Sequence, residues 1–145
     1  MKHPVDLARR FLTLADRDIR TFNLLAATPD SDDQAVGFHA QQAIEKCLKA
    51  VLSGRQVAYR KTHDLVELLD LLRDNGCTPP PNAESLDHLN PFAVTLRYDL
   101  FEAESIDRDW IGKAVATVRT WADAEVEAIG SSKTEVPPEG TERFE

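Results

Sequence analysis

Asp18 is the first residue in this chain whose placement demands a partner. It falls on the same helical face as Leu7, Phe11, Leu14, Ala15, Ile19, Phe22 and Leu25, and a carboxylate inside an apolar stripe is costly unless a cation or a donor meets it. Arg97 lies at the edge of another apolar face, with Tyr98 turned away from it, and is the natural partner. That reading makes Asp18 an internal tether rather than a catalytic acid. Nucleotide recognition would fall to side chains such as Lys46, Lys49, Arg60, Lys61, Arg97 and Tyr98. The chain has only six glycines, none grouped, and it lacks a phosphate-cradling loop, an H-E-x-x-H helix, a nucleophile elbow and a Cys-x-x-Cys pair. A solvated surface is the simpler role for any one of those cations. Of the four histidines, His3 is terminal, His39 borders an apolar stripe next to Lys46, and His63 sits where a helix is capped. A lone border histidine more often serves packing than catalysis. Cys47 and Cys77 fit neither a disulfide scaffold nor a zinc site, so no metal and no cofactor is expected, and Cys47 reads as a buried thiol.

Helices must position these groups. Residues 5–27 read as the first, broken by the Pro and Asp/Ser residues at 28–32, with Ser31 or Asp32 capping the next. In that second helix Val36, Ala40, Ala43, Ile44, Cys47, Leu48 and Val51 form a core stripe, and Gln42, Glu45, Lys46 and Lys49 lie opposite. Phe38 and Leu52 lean toward the polar side. They mark either a contact with a second subunit or a patch covered by the following loop. Gly54 ends the helix, and a loop carrying Arg55, Arg60 and Lys61 leads to Thr62 or Asp64 as the cap of a third, with Glu67 three residues beyond Asp64. Leu65, Leu68, Leu69 and Leu72 repeat along that helix at helical spacing. After a stiff connector at 78–81, a fourth helix begins near Asn82 or Ser85. Leu86, Leu89, Phe92, Ala93, Leu96 and Leu100 share its face, and Pro91 bends or divides it. The fifth, with Trp110, Ile111, Ala114, Val115, Val118, Trp121, Ala122, Val126 and Ile129, has the widest apolar face.

The stretch FHAQQAIEKCLKAVL followed by KTHDLVELLDLL resembles the signature of HEPN-domain proteins, small helical bundles named for a proposed nucleotide-binding role. The order Phe-His-Ala-Gln-Gln, Glu-Lys, Lys-Thr-His-Asp-Leu carries the resemblance, which extends more weakly over roughly residues 5–130. It implies an all-α up-and-down bundle of about five helices. It also implies a dimer groove. Family members that cleave RNA carry an Arg, four to six intervening residues and a His; histidine moves the 2′-hydroxyl proton and arginine stabilises the pentacoordinate phosphate. Arg97 matches the arginine, but the positions that should hold the histidine are Glu102, Ala103 and Glu104. Glu102 is a weak substitute base, since a carboxylate near its ordinary pKa of about 4.3 accepts a hydroxyl proton poorly.

At 145 residues, 42% hydrophobic and 29% charged, the chain suits one domain, with a bundle at 1–130 and a mobile tail at 131–145. Net charge is −8, which excludes a general nucleic-acid coat. Without the tail the body still has 15 basic against 21 acidic side chains, a net charge of −6, so any RNA or nucleotide site is confined to a small groove. No apolar run is long enough for a signal peptide or a membrane span, and a cytoplasmic protein is expected. The reading that follows is an atypical HEPN protein. It would act as a homodimeric binding module, with Asp18, His39, Lys46, Lys61, His63 and Tyr98 at the binding face and Phe38 and Leu52 at the dimer contact. The resemblance implies a small nucleotidyltransferase partner in a toxin–antitoxin-like system. A metal-independent RNA-cleaving toxin using Arg97 is the alternative, and a stand-alone nucleotide- or RNA-binding domain is a third.

Overall fold

A computed structural model describes residues 3–93 and 106–134. Its elements are α1 (Pro4–Ala26), α2 (Asp33–Gly54), α3 (Leu65–Asp74), a 3-10 helix (Ala83–Ala93) and α4 (Arg108–Thr134). The fold is an all-α bundle, and among the described residues there is no strand. Arg97, Tyr98, Glu102, Leu96 and Leu100 lie outside the described residues, as do 135–145. Residues 131–134, expected to belong to the tail, continue α4.

α2 is the axis of the bundle. Asp32 caps it by accepting from the Gln34 amide at 3.3 Å, and it is buried around most of its circumference, from Gln34 through Gly54. α1 packs along it with a face rotated from the one that the large apolar residues suggested. Val5, Ala8, Leu12, Ala15 and Phe22 are buried, whereas Leu7 is 40% exposed. Small residues set this angle, because a Cβ on Gly54 would stand 3.3 Å from the Ala8 methyl. Large side chains there would hold the two helices apart.

The fourth element is a 3-10 helix rather than an α-helix. Its buried residues are Ala83, Leu86, Leu89 and Phe92, a strict three-residue repeat, and in a 3-10 helix residues three apart eclipse one another. Phe92 presses its ring on α2 where Gly37 leaves room; a Cβ there would meet the ring at 2.4 Å. Just before Pro91, Asn90 accepts from the Leu65 amide at 2.9 Å and donates to the Asp64 carboxylate at 3.0 Å. This couples the 3-10 helix to the start of α3. Asp64 is the α3 cap, accepting from Val66 at 2.9 Å, and Thr62 supports it by accepting from the Asp64 amide at 3.1 Å. Glu67 does not close a capping box. It takes a two-pronged bond from Arg60, both contacts 2.8 Å.

α4 closes the core with Ile111, Val115, Val118, Trp121, Ala122, Val126 and Ile129. The Trp121 indole is satisfied by donating to the Thr78 carbonyl at 2.9 Å. At the other end Asp107 accepts from the Trp110 amide at 3.0 Å. Arg108 reaches back to the α1–α2 turn and donates to the carbonyls of Leu25, Ala26, Thr28 and Ser31, to the Ser31 hydroxyl and to Asp33. No helix among the described residues is long and apolar enough to cross a membrane.

Candidate functional site

Two carboxylates organise the polar side of α2. The first is Asp18, on the α1 face that meets α2, with its side chain 12% exposed. Its partners stand seven residues apart on α2 and so share one side of that helix. Lys46 Nζ donates to Oδ2 at 2.5 Å, and His39 Nδ1 lies 3.0 Å from Oδ1. An ionised carboxylate only accepts, so Nδ1 carries the proton. Asp18 is buried and held by a cation from another helix, as expected, but the partners are Lys46 and His39; Arg97, the partner expected from sequence, lies outside the described residues.

The second carboxylate, Glu45, was read from sequence as solvent-facing. The structure buries it, with a side chain only 4% exposed. Lys49 Nζ donates to Oε2 at 2.9 Å, Gln41 Nε2 donates to Oε1 at 3.1 Å, and His63 Nδ1 lies 3.0 Å from Oε1. Gln41, with no exposed surface, spends its second N–H on the His63 carbonyl at 2.9 Å, while its own oxygen accepts from Gln42 at 2.8 Å. Every hydrogen-bonding atom of that buried amide is thus used. Lys49 also lies over the Tyr59 ring, 5.7 Å from its centroid. Glu45 joins α2 to the loop before α3, as Asp18 joins α2 to α1.

The predicted site residues therefore separate. Asp18, His39 and Lys46 come together; His63, 58% exposed, belongs to Glu45 instead. Lys61 is exposed on the loop. Phe38 is half-buried with its ring edge-on to His39, centroids 5.3 Å apart. Leu52 has no exposed surface, because this central helix is enclosed on the side that a two-sided projection leaves open. It offers nothing to a second subunit. Among the described residues no cluster of His, Cys, Asp or Glu could hold a metal ion.

Sequence reasoning missed Gln41 and Glu45, because their spacing four apart with Lys49 looks the same on a solvated helix face. It also missed the pair formed by Asp16 and Arg119, 2.8 Å apart. That hydrogen bond raises the guanidinium further above its ordinary value. Burial pushes the adjacent Cys47 thiol up to about 12, which makes it inert as a nucleophile.

Residues 8–128 match the family model of the HEPN domain. A crystal structure of an archaeal HEPN homologue aligns at 18% identity and a TM-score of 0.49, covering 91% of this chain and 98% of that one. No curated protein matches the chain.

Proposed function

Since the chain belongs to the HEPN domain family, we propose that it is an atypical member acting as a homodimeric binding module for a small nucleotidyltransferase in a toxin–antitoxin-like pair. One observation carries this reading. The α2 cations that could grip a phosphate are already held by carboxylates, Lys46 by Asp18 and Lys49 by Glu45. A groove that catalyses phosphoryl chemistry needs its positive charge directed at the substrate. Here Lys46 is spent on joining α2 to α1, and Lys49 on a buried carboxylate of its own helix. The sequence agrees, with no histidine at 102–104 after Arg97. Phe38, half-buried on α2, remains the residue through which two copies would meet.

The test is to read the adjacent reading frame, co-express this chain with the small nucleotidyltransferase expected there, and analyse the product by chromatography with light scattering. A complex containing two copies of this chain supports the reading. A chain that stays monomeric at high micromolar concentration and fails to bind that enzyme overturns it. RNA cleavage is the second reading, and one observation favours it: His63 is exposed while Glu45 fixes its Nδ1, an orientation suited to proton transfer through Nε2. RNA degradation abolished by Arg97→Ala and by His63→Gln would establish that reading in place of the first.

A further inference from the structure

Between the 3-10 helix and α4, away from both carboxylate clusters, lies a half-enclosed cavity of about 200 Å³. Pro81 and Leu86 wall one side, Trp110 and Ala114 the other. The Trp110 indole is partly buried against the core and is flanked by the His88 ring at 6.1 Å. Three neutral polar side chains, Asn82, Ser85 and Thr117, also line the space. The hydrogen bonds among the described residues include none from their side chains; the Asn82–Ser85 link is through backbone, 3.1 Å from the Ser85 amide to the Asn82 carbonyl. Asn82 holds a left-handed backbone with φ of 60°, a conformation asparagine tolerates better than most residues but at some cost.

We propose that this cavity binds a small, neutral, planar nitrogen heterocycle. The flat indole and the proline ring match a flat ligand, which presents its faces to them. The amide and the two hydroxyls offer donors and acceptors to its edge. The size suits a single small ring, because pockets that enclose a whole drug-sized molecule run to ~300–1,000 Å³; a more open apolar hollow shares Pro81 and Thr117 with this cavity. Charge points the same way: Lys113 on the lining is paired with Asp109 at 3.3 Å, both largely exposed, so the mouth is close to neutral. The site is independent of the nucleotidyltransferase reading and would stand without it.

Two-dimensional proton–nitrogen NMR tests the proposal, using nicotinamide and benzimidazole as probes and cyclohexanol as a non-planar control. The chain has two indole N–H signals, and Trp110→Phe assigns them. Millimolar nicotinamide or benzimidazole moves the Trp110 signal and leaves that of Trp121, which is bonded to Thr78, in place. Ser85→Ala and Thr117→Val each weaken binding about fivefold, the worth of one hydrogen bond. Ala114→Leu fills the cavity and abolishes the shift, with an unmoved Trp121 signal reporting an intact fold. The proposal is overturned if neither heterocycle moves the Trp110 signal, if cyclohexanol moves it equally, or if the three cavity variants bind as the parent does.

Discussion

Replacing Glu45 by alanine should be among the most damaging polar substitutions in this chain. The side chain is 4% exposed and its partner Lys49 12% exposed, so truncation leaves a nearly buried ammonium without its counter-charge. Gln41, fully buried, loses one acceptor at the same time. Breaking a buried pair from one side costs about 3–5 kcal/mol. The lower end applies, because the lysine stem can swing toward water and His63 is already exposed. A loss of about 3 kcal/mol in a chain of this size lowers the melting temperature by about 10 °C. Circular dichroism would follow the parent, Glu45→Ala, Glu45→Gln and the double variant Glu45→Met/Lys49→Met. Glu45→Gln should lose roughly half as much, since it keeps an acceptor for Gln41. The double variant should recover most of the loss, because an apolar pair of similar volume replaces a desolvated ion pair at little cost. A Glu45→Ala protein melting with the parent would refute the claim that this network holds α2 to the α3 loop.

Asp18→Ala should cost about 2 kcal/mol, less than Glu45→Ala, because Lys46 and His39 are 25% and 28% exposed and can regain water; urea unfolding measures it. Gly37→Ala drives a methyl into the Phe92 ring and should cost about 2 kcal/mol, with Phe92→Leu in the same chain restoring part of the loss. Cys47 gives a pH signature. Its thiol ionises near 9.0 when unfolded and at about 12 when folded, so the unfolded chain releases its proton first, and stability present below pH 9 falls as pH rises toward 12. Cys47→Ala should flatten that alkaline decline, as measured by unfolding at stepped pH. Ending the chain after Thr134 should leave the melting temperature unchanged, whereas ending it after Gly130 removes the last turn of α4 and should lower it by a few degrees.

Legibility tracked the number of neighbours each helix has. α4 buries one broad face, and its core residues were readable from periodicity alone. The start of α3 was readable from cap chemistry at Asp64, because a cap is a local bond between residues two apart. α2 defeated a two-sided projection. It is enclosed by α1, α3, the 3-10 helix and α4, so Glu45, Gln41 and Leu52 are buried on the side that periodicity assigns to water. Nothing local distinguishes a buried Glu45 from an exposed one, since part of its satisfaction comes from His63, across a loop. On α1 the large side chains outweighed Ala8 in the reading, which included Ala15, yet Ala8 marks a close approach to Gly54 of α2. The 3-10 helix was encoded in the spacing of Ala83, Leu86, Leu89 and Phe92, which an α-helical template absorbs without protest. Asp18 was legible because its cost is local, but its partners were not, because any cation on a facing helix would satisfy it.

Arg108 has a consequence for how the bundle opens. The C-terminal end of a helix carries partial negative charge on its last carbonyls, which a nearby cation stabilises, yet the last turn of α1 contains no basic residue. The missing charge arrives from the first turn of α4, whose guanidinium bonds the carbonyls of Leu25, Ala26 and Thr28. The end of α1 is thus completed by a residue about eighty positions later in the chain. Fraying of α1 at this end and undocking of α4 become one event, so amide protons near Leu25 and near Ile111 should exchange with deuterium at a common rate. In Arg108→Met that shared opening divides into two, and the α1 amides exchange first.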